Sequence, residues 1–148
     1  MSRAFLLVMD SLGVGGAPDA DAFGDVGSNT LGHIAQWCAE GRADIDGVRQ
    51  GSLQIPFLET LGLGLAAKIA CGDLPAGLNP MPQINGQYGS AAELSTGKDT
   101  ISGHWEMAGL PVTFDWGYFT DKTNSFPQSL LDDLIEQGNV PGVLGNCH

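Results

Sequence analysis

The chain has 148 residues, the length of one domain and enough to bury a core, and 43% hydrophobic against 16% charged is the balance of an ordinary folded protein. Lys and Arg number 6 against 17 Asp and Glu, a net charge of -11, which repels nucleic acid and anionic membrane surfaces alike, so neither is an expected partner and any phosphorylated ligand needs a metal or a local cationic pocket. Cys38, Cys71 and Cys147 lie far apart without a C-x-x-C pair, the pattern of free reduced thiols rather than of a disulfide framework or zinc finger.

The first element predicted is a strand. Ala4 to Met9 is a continuous apolar run that stops at Asp10-Ser11-Leu12-Gly13, as in a central parallel strand buried on both faces. The run is too short for a transmembrane span and lacks the length and cleavage pattern of a signal peptide, which makes the cytoplasm the expected location. Asp10 then falls at the carboxyl end of a strand, where open α/β sheets place ligands. It is either a metal-coordinating carboxylate or an Asx-turn residue closing the strand. The glycines after it lack the full G-x-G-x-x-G spacing, and Asp19, Asp21 and Asp25 fit no EF-hand register, so this loop reads as a solvated acidic one.

Asn29 caps the next predicted element, a helix with Leu31, Ile34, Ala35 and Cys38 on one face and Gly41 closing it. His33 falls beside that stripe as a structural residue. Pro56 opens a short helical run with Phe57, Leu58 and Leu61 on one face, followed by a long loop punctuated by Pro75, Pro80, Pro82, Gly72, Gly77 and Gly86. Tyr88 to Leu94 is a second predicted strand, delivering the chain to Thr96-Gly97-Lys98-Asp99-Thr100-Ile101-Ser102-Gly103-His104-Trp105-Glu106.

That segment has almost no apolar periodicity and mixes glycines, hydroxyls, a lysine, a carboxylate and a histidine, so it reads as a turn presenting side chains beside a helix start. Thr96 and Asp99 have capping-box spacing, the bland explanation; a hydroxyl nucleophile is the chemical one. Asp10 and Thr100 are expected to converge at one sheet edge. Further on, Tyr118 and Phe119 either stack on a ligand or pack against a neighbouring element. A helix is predicted from a Ser125/Gln128 capping box through Leu130, Leu131, Leu134 and Ile135 to Gly138, and residues 141 to 148 begin a strand or its exit.

The run Gly-Lys-Asp-Thr followed by Gly-His-Trp-Glu resembles the signature of the phosphopentomutases, members of the alkaline phosphatase superfamily. The resemblance extends to Phe5 through Gly15, to Pro18 through Asp25, to Asn29 through Ile34, to Trp116 through Phe119 and to Asn124 through Pro127. It implies an α/β fold: an alkaline-phosphatase-like core with a mainly parallel sheet, of which residues 1–114 are the N-terminal part, and an inserted cap domain begun by residues 115–148. It further implies Thr100 as the phosphoryl-carrying catalytic residue, Asp10 as a metal ligand and two Mn2+ ions in the complete enzyme, and it admits a sugar bisphosphate as activator.

The activity so implied is the interconversion of α-D-ribose 1-phosphate and ribose 5-phosphate, and of the deoxyribose pair, in the cytoplasm, with pentose phosphates as the small-molecule partners. Family members are much longer, so the chain is expected to be an N-terminal fragment, inactive alone because His33, His104 and His148 cannot complete a two-metal site with Asp10. The rival readings are another phosphatase or phosphomutase of the same superfamily, which the intact signature disfavours, and a non-catalytic acidic binding module.

Overall fold

The computed structural model describes residues 3–147, which divide into two compact units, one reaching to Leu94 and the other starting at Ser95. After a 3-10 turn at Ala20–Phe23, the described residues form helices α1 (Thr30–Ala39), α2 (Pro56–Thr60), α3 (Leu63–Cys71), α4 (Thr100–Met107) and α5 (Gln128–Gly138).

In the first unit, Asn29 caps α1 as expected, its Oδ1 accepting from the Gly32 N–H at 3.0 Å. The same oxygen accepts from the Gly15 N–H at 3.2 Å, and Asn29 Nδ2 donates to Cys71 Sγ at 3.5 Å. One amide therefore ties the loop after Asp10 both to the start of α1 and to the end of α3. Leu31, Ala35 and Cys38 are buried on one face of α1, while Ile34 at the edge of that stripe is 43% exposed. Gly41, in the left-handed region with φ 70°, closes the helix by donating to Cys38 O.

Pro56 opens α2 at its first position. The long loop expected between Cys71 and Gly89 holds no helix or strand, but before it the structure has α3, which the sequence reading does not predict. Leu63, Leu65, Ala66, Ala67, Ile69 and Ala70 surround this helix with apolar groups and leave no periodic stripe to detect. Gly62, at φ 94°, makes the turn between α2 and α3, where a Cβ would sit 2.6 Å from Tyr88 Cβ. Gly64, buried on α3, faces the Leu78 side chain, with Leu78 Cδ1 3.3 Å from where a Cβ would stand. Leu78 itself is 5% exposed, so the proline-rich excursion folds back as the lid of this small core.

The predicted strands are corrected. Among the described residues there is no strand, and pairing is confined to an isolated antiparallel bridge between Ile45 and Arg49. Ala4 to Met9 has no regular secondary structure and is exposed, with Phe5 at 83% and Leu7 at 92%. Tyr88 to Leu94 likewise forms no strand and is exposed. An apolar run becomes a strand only beside another backbone about 4.8 Å away, and within this unit no described segment forms that ladder with either run. Residues 141–147 also contain no strand, and His148 lies outside the described residues.

In the unit from Ser95, Val112 is 1% exposed and Ser95 6%. The Glu106 carboxylate accepts from both the Ser95 N–H at 2.8 Å and the Ser95 hydroxyl at 2.6 Å, and Ser95 Oγ accepts from the Val112 N–H at 3.0 Å. The far end of the signature is thus hydrogen-bonded to the residue that precedes it. The capping box expected at Ser125 does not form. Pro127, with ψ 143°, stands at the cap position of α5, two residues beyond Ser125. Ser125 instead donates its N–H to Asn146 O, and Asn146 exchanges two further bonds with the Phe126 backbone at 2.7 and 2.8 Å. Asn139, at φ 48°, ends the helix one residue after Gly138.

Candidate active site

Thr100 is the first residue of α4, and its side chain is exposed. The helix starts there because Asp99, with extended backbone, accepts the Ser102 N–H on Oδ1 at 2.7 Å. The cap is therefore Asp99, not Thr96 as the spacing suggests. Thr96 uses its backbone N–H for Val112 O and its side chain is exposed. A capping residue has to stand immediately before the helix, and the first helical residue is Thr100.

The carboxylate of Asp99 does more than cap. Its Oδ2 accepts from the Ser102 hydroxyl at 2.9 Å and from the Tyr118 hydroxyl at 3.2 Å. Ser102 Oγ in turn accepts from Trp116 Nε1 at 2.9 Å. Trp116 packs edge-on against Trp105 and Phe114, with ring centroids 5.7 and 4.8 Å away. On the other side of Thr100, its carbonyl O lies 2.7 Å from His104 Nδ1. A carbonyl only accepts, so Nδ1 carries the proton, and in the neutral ring Nε2 is an acceptor. Lys98 is exposed.

Sequence reasoning places Thr100 and the turn but passes over Ser102 and Trp116. Ser102 is detectable in principle, standing three residues after a carboxylate at a helix start. Trp116 carries no local signal. Tyr118 and Phe119 both take the packing alternative: Tyr118 bonds Asp99, and Phe119 meets Phe126 edge-on at 5.1 Å.

The Ser102 N–H, together with the Ser102 and Tyr118 hydroxyls, holds the Asp99 carboxyl below the usual carboxylate range. Burial and the bond to Asp99 raise the Tyr118 phenol. A depressed carboxyl stabilises the folded form above its unfolded pKa, and that contribution disappears as pH falls through the lower folded value. Wild type is therefore expected to lose more thermal stability than Asp99→Asn between mildly acidic pH and a pH below the ordinary carboxylate range. Thermal melts of the two proteins across that interval check this, and equal losses would show that the network gives no preference to the ionised carboxyl.

Asp10 is exposed in a turn in the other unit, and Ser11 after it has φ 57°. An open cleft of about 560 Å³ lies further along this loop, lined by Gly15, Pro18, Asn29, His33 and Cys71. His33 is exposed along it rather than packed into the core. The acidic loop is exposed at Asp19 and Asp21. All three cysteines are free. Among the described residues no group of three or more His, Cys, Asp or Glu side chains gathers in a way that would hold a metal ion, and no helix is long and apolar enough to cross a membrane.

Residues 2–139 match the family model of the Metalloenzyme superfamily, and the chain belongs to that superfamily. Within it, the chain is 61% identical over its whole length to the phosphopentomutase of Aliivibrio fischeri (strain MJ11). It is 60% identical to that of Photorhabdus laumondii and 58% identical to that of Sinorhizobium fredii, again over all of this chain. The chain spans 36% of the length of each of these relatives. No solved structure matches it.

Proposed function

We propose that this chain is part of a phosphopentomutase, an isomerase that interconverts α-D-ribose 1-phosphate and ribose 5-phosphate, and the corresponding deoxyribose phosphates. The observation that carries the reading is 57–61% identity across the entire chain to proteins of that name. The signature geometry agrees with it, since Thr100 is exposed at the start of a capped helix. Nothing in the structure favours a non-catalytic acidic module.

In this reading Thr100 Oγ carries a phosphoryl group. The group passes to the unphosphorylated position of the pentose phosphate, O1 or O5, whose proton is released. The resulting bisphosphate returns its other phosphoryl group to Thr100 Oγ and leaves as the isomer. A sugar bisphosphate supplies the first phosphoryl group, which explains an activator of that class. The start of α4 suits the carrier, because helix N-termini favour phosphate and the exposed side chain is open to a substrate.

Superfamily membership implies a metal, and we take it to be a pair of Mn2+ ions whose chemistry is to lower the cost of a threonine alkoxide and to neutralise phosphoryl charge. The described residues do not fit such a centre on their own, since Asp10 stands apart from other ligating side chains. No step is therefore derived through the ions. The further ligands belong to the portion of the relatives' length that this chain does not span.

For the complete protein we also infer a mainly parallel sheet that pairs Ala4 to Met9, a core to which residues 1–114 contribute, a cap entered at residues 115–148, and a cytoplasmic location. Sheet pairing would bury the apolar side chains of residues 5–9 that are exposed here. The experiment is to supply the complete protein with manganese, a sugar bisphosphate and ribose 5-phosphate. Ribose 1-phosphate is expected to form; its absence would overturn the assignment.

A further inference from the structure

We propose that Ser102 is a positioning residue for Thr100, acting through Asp99, with Trp116 holding Ser102 and Tyr118 holding Asp99. The inference rests on the phosphothreonine reading above and adds to it the group that holds the carrier in register.

Ser102 is 0% exposed, and its hydroxyl is engaged in both directions: it donates to Asp99 Oδ2 and accepts from Trp116 Nε1, each at 2.9 Å. Capping α4 needs only the Ser102 N–H. The hydroxyl is a second tether on the same carboxylate, and the Tyr118 hydroxyl is a third. Gly97 closes the turn onto this cluster. A Cβ there would stand 2.6 Å from Asp99 Oδ2, 3.2 Å from Ser102 Oγ and 3.4 Å from Tyr118 Oη, so a side chain at this position would displace the Asp99 carboxylate.

Thr100 is therefore held from both sides. Asp99 before it is fixed by three hydrogen bonds to its side chain and by the Gly103 N–H donating to its carbonyl. The Thr100 carbonyl is fixed by His104. What remains free is rotation about χ1, which swings Oγ about a stationary Cα. In-line phosphoryl transfer depends on the attacking and leaving oxygens being aligned, and a displacement of about 1 Å at the reacting atom can cost on the order of 100-fold in rate. Trp116 and Tyr118 belong to the stretch just beyond the signature, so the register of the carrier also depends on that stretch being docked.

The test uses the complete protein, with isomerisation rates expressed per folded molecule. Ser102→Ala is expected to lower kcat by about 10- to 100-fold while KM for ribose 5-phosphate changes less than about threefold, because the substrate contacts remain and only alignment is lost. Trp116→Phe keeps an aromatic ring at this position but removes the indole N–H, and is expected to lower kcat in the same direction by a smaller factor. In the double variant the loss should be no greater than in Ser102→Ala alone, as for two groups acting through one tether.

An unchanged kcat in a folded Ser102→Ala protein, with only its melting temperature reduced, would overturn the proposal. If Ser102→Ala does not fold, Trp116→Phe decides: a fall in kcat at constant KM supports the tether, and an unchanged kcat overturns it. A wild-type protein without isomerase activity would overturn the phosphothreonine reading itself, a result distinct from an active wild type whose variants are unaffected.

Discussion

Thr100→Ala in the complete protein is expected to lower turnover by on the order of 10^4-fold or more and to eliminate the covalent phosphate, while leaving the fold intact. The size of the effect follows from the proposed role, in which every catalytic cycle passes through the Thr100 oxygen and no neighbouring hydroxyl stands ready to replace it. Ser102 is buried and hydrogen-bonded in both directions, and Thr96 lies on the far side of Gly97 outside the helix. Stability should hardly change, because Thr100 is exposed at the first position of α4, and alanine is a better helix former there by about 0.5 kcal/mol. Peptide mass spectrometry of the protein treated with a sugar bisphosphate checks the assignment. Phosphate on Thr96 or Ser102, or turnover surviving in Thr100→Ala, would defeat it.

The second large effect is expected at Asp10. Asp10→Asn keeps the shape of the side chain and still closes a turn, but it removes the charge that a divalent cation requires. In the complete protein manganese affinity should fall by at least about 10- to 100-fold, the loss already typical of removing an outer partner of a metal site. Turnover should fall with it. The melting temperature in metal-free buffer should stay close to wild type, since Asp10 is exposed and lies in a turn. Titration of manganese into both proteins, with melts run in chelator, separates the two readings of this residue: unchanged affinity would leave Asp10 as a turn former.

How much of this is written locally differs from element to element. Helix α1 is legible because its cap, its stripe and its stop lie within one short span: Asn29 bonds Gly32, Leu31, Ala35 and Cys38 recur at helical spacing, and Gly41 takes the left-handed conformation. Helix α3 is not, because apolar residues on every side erase the period and the turn at Gly62 is defined by its packing against Tyr88. The start of α5 is misplaced by pattern alone, since Ser125 and Gln128 have the right spacing but Asn146 takes up the backbone groups around Phe126. The run from Ala4 to Met9 announces a need for burial, and burial is a property of partners that a local pattern cannot supply.

The same division holds at the site. By itself the sequence determined that a threonine stands beside a glycine turn and a helix start, that a lone carboxylate ends the first apolar run, and that the surrounding charge is too negative to welcome phosphate without a cation. These follow from residue chemistry and from spacings of a few positions, where the geometry of the chain leaves few choices. Tertiary structure alone decided that Asp99 rather than Thr96 caps α4, that Ser102 is buried beside it, and that Trp116 bonds Ser102 from 14 residues away while Tyr118 bonds Asp99 from 19. Hydrogen bonds over such separations depend on how the intervening chain folds back, and that path is set by the packing of Val112 and the bonding of Ser95 to Glu106 rather than by any pattern near Thr100.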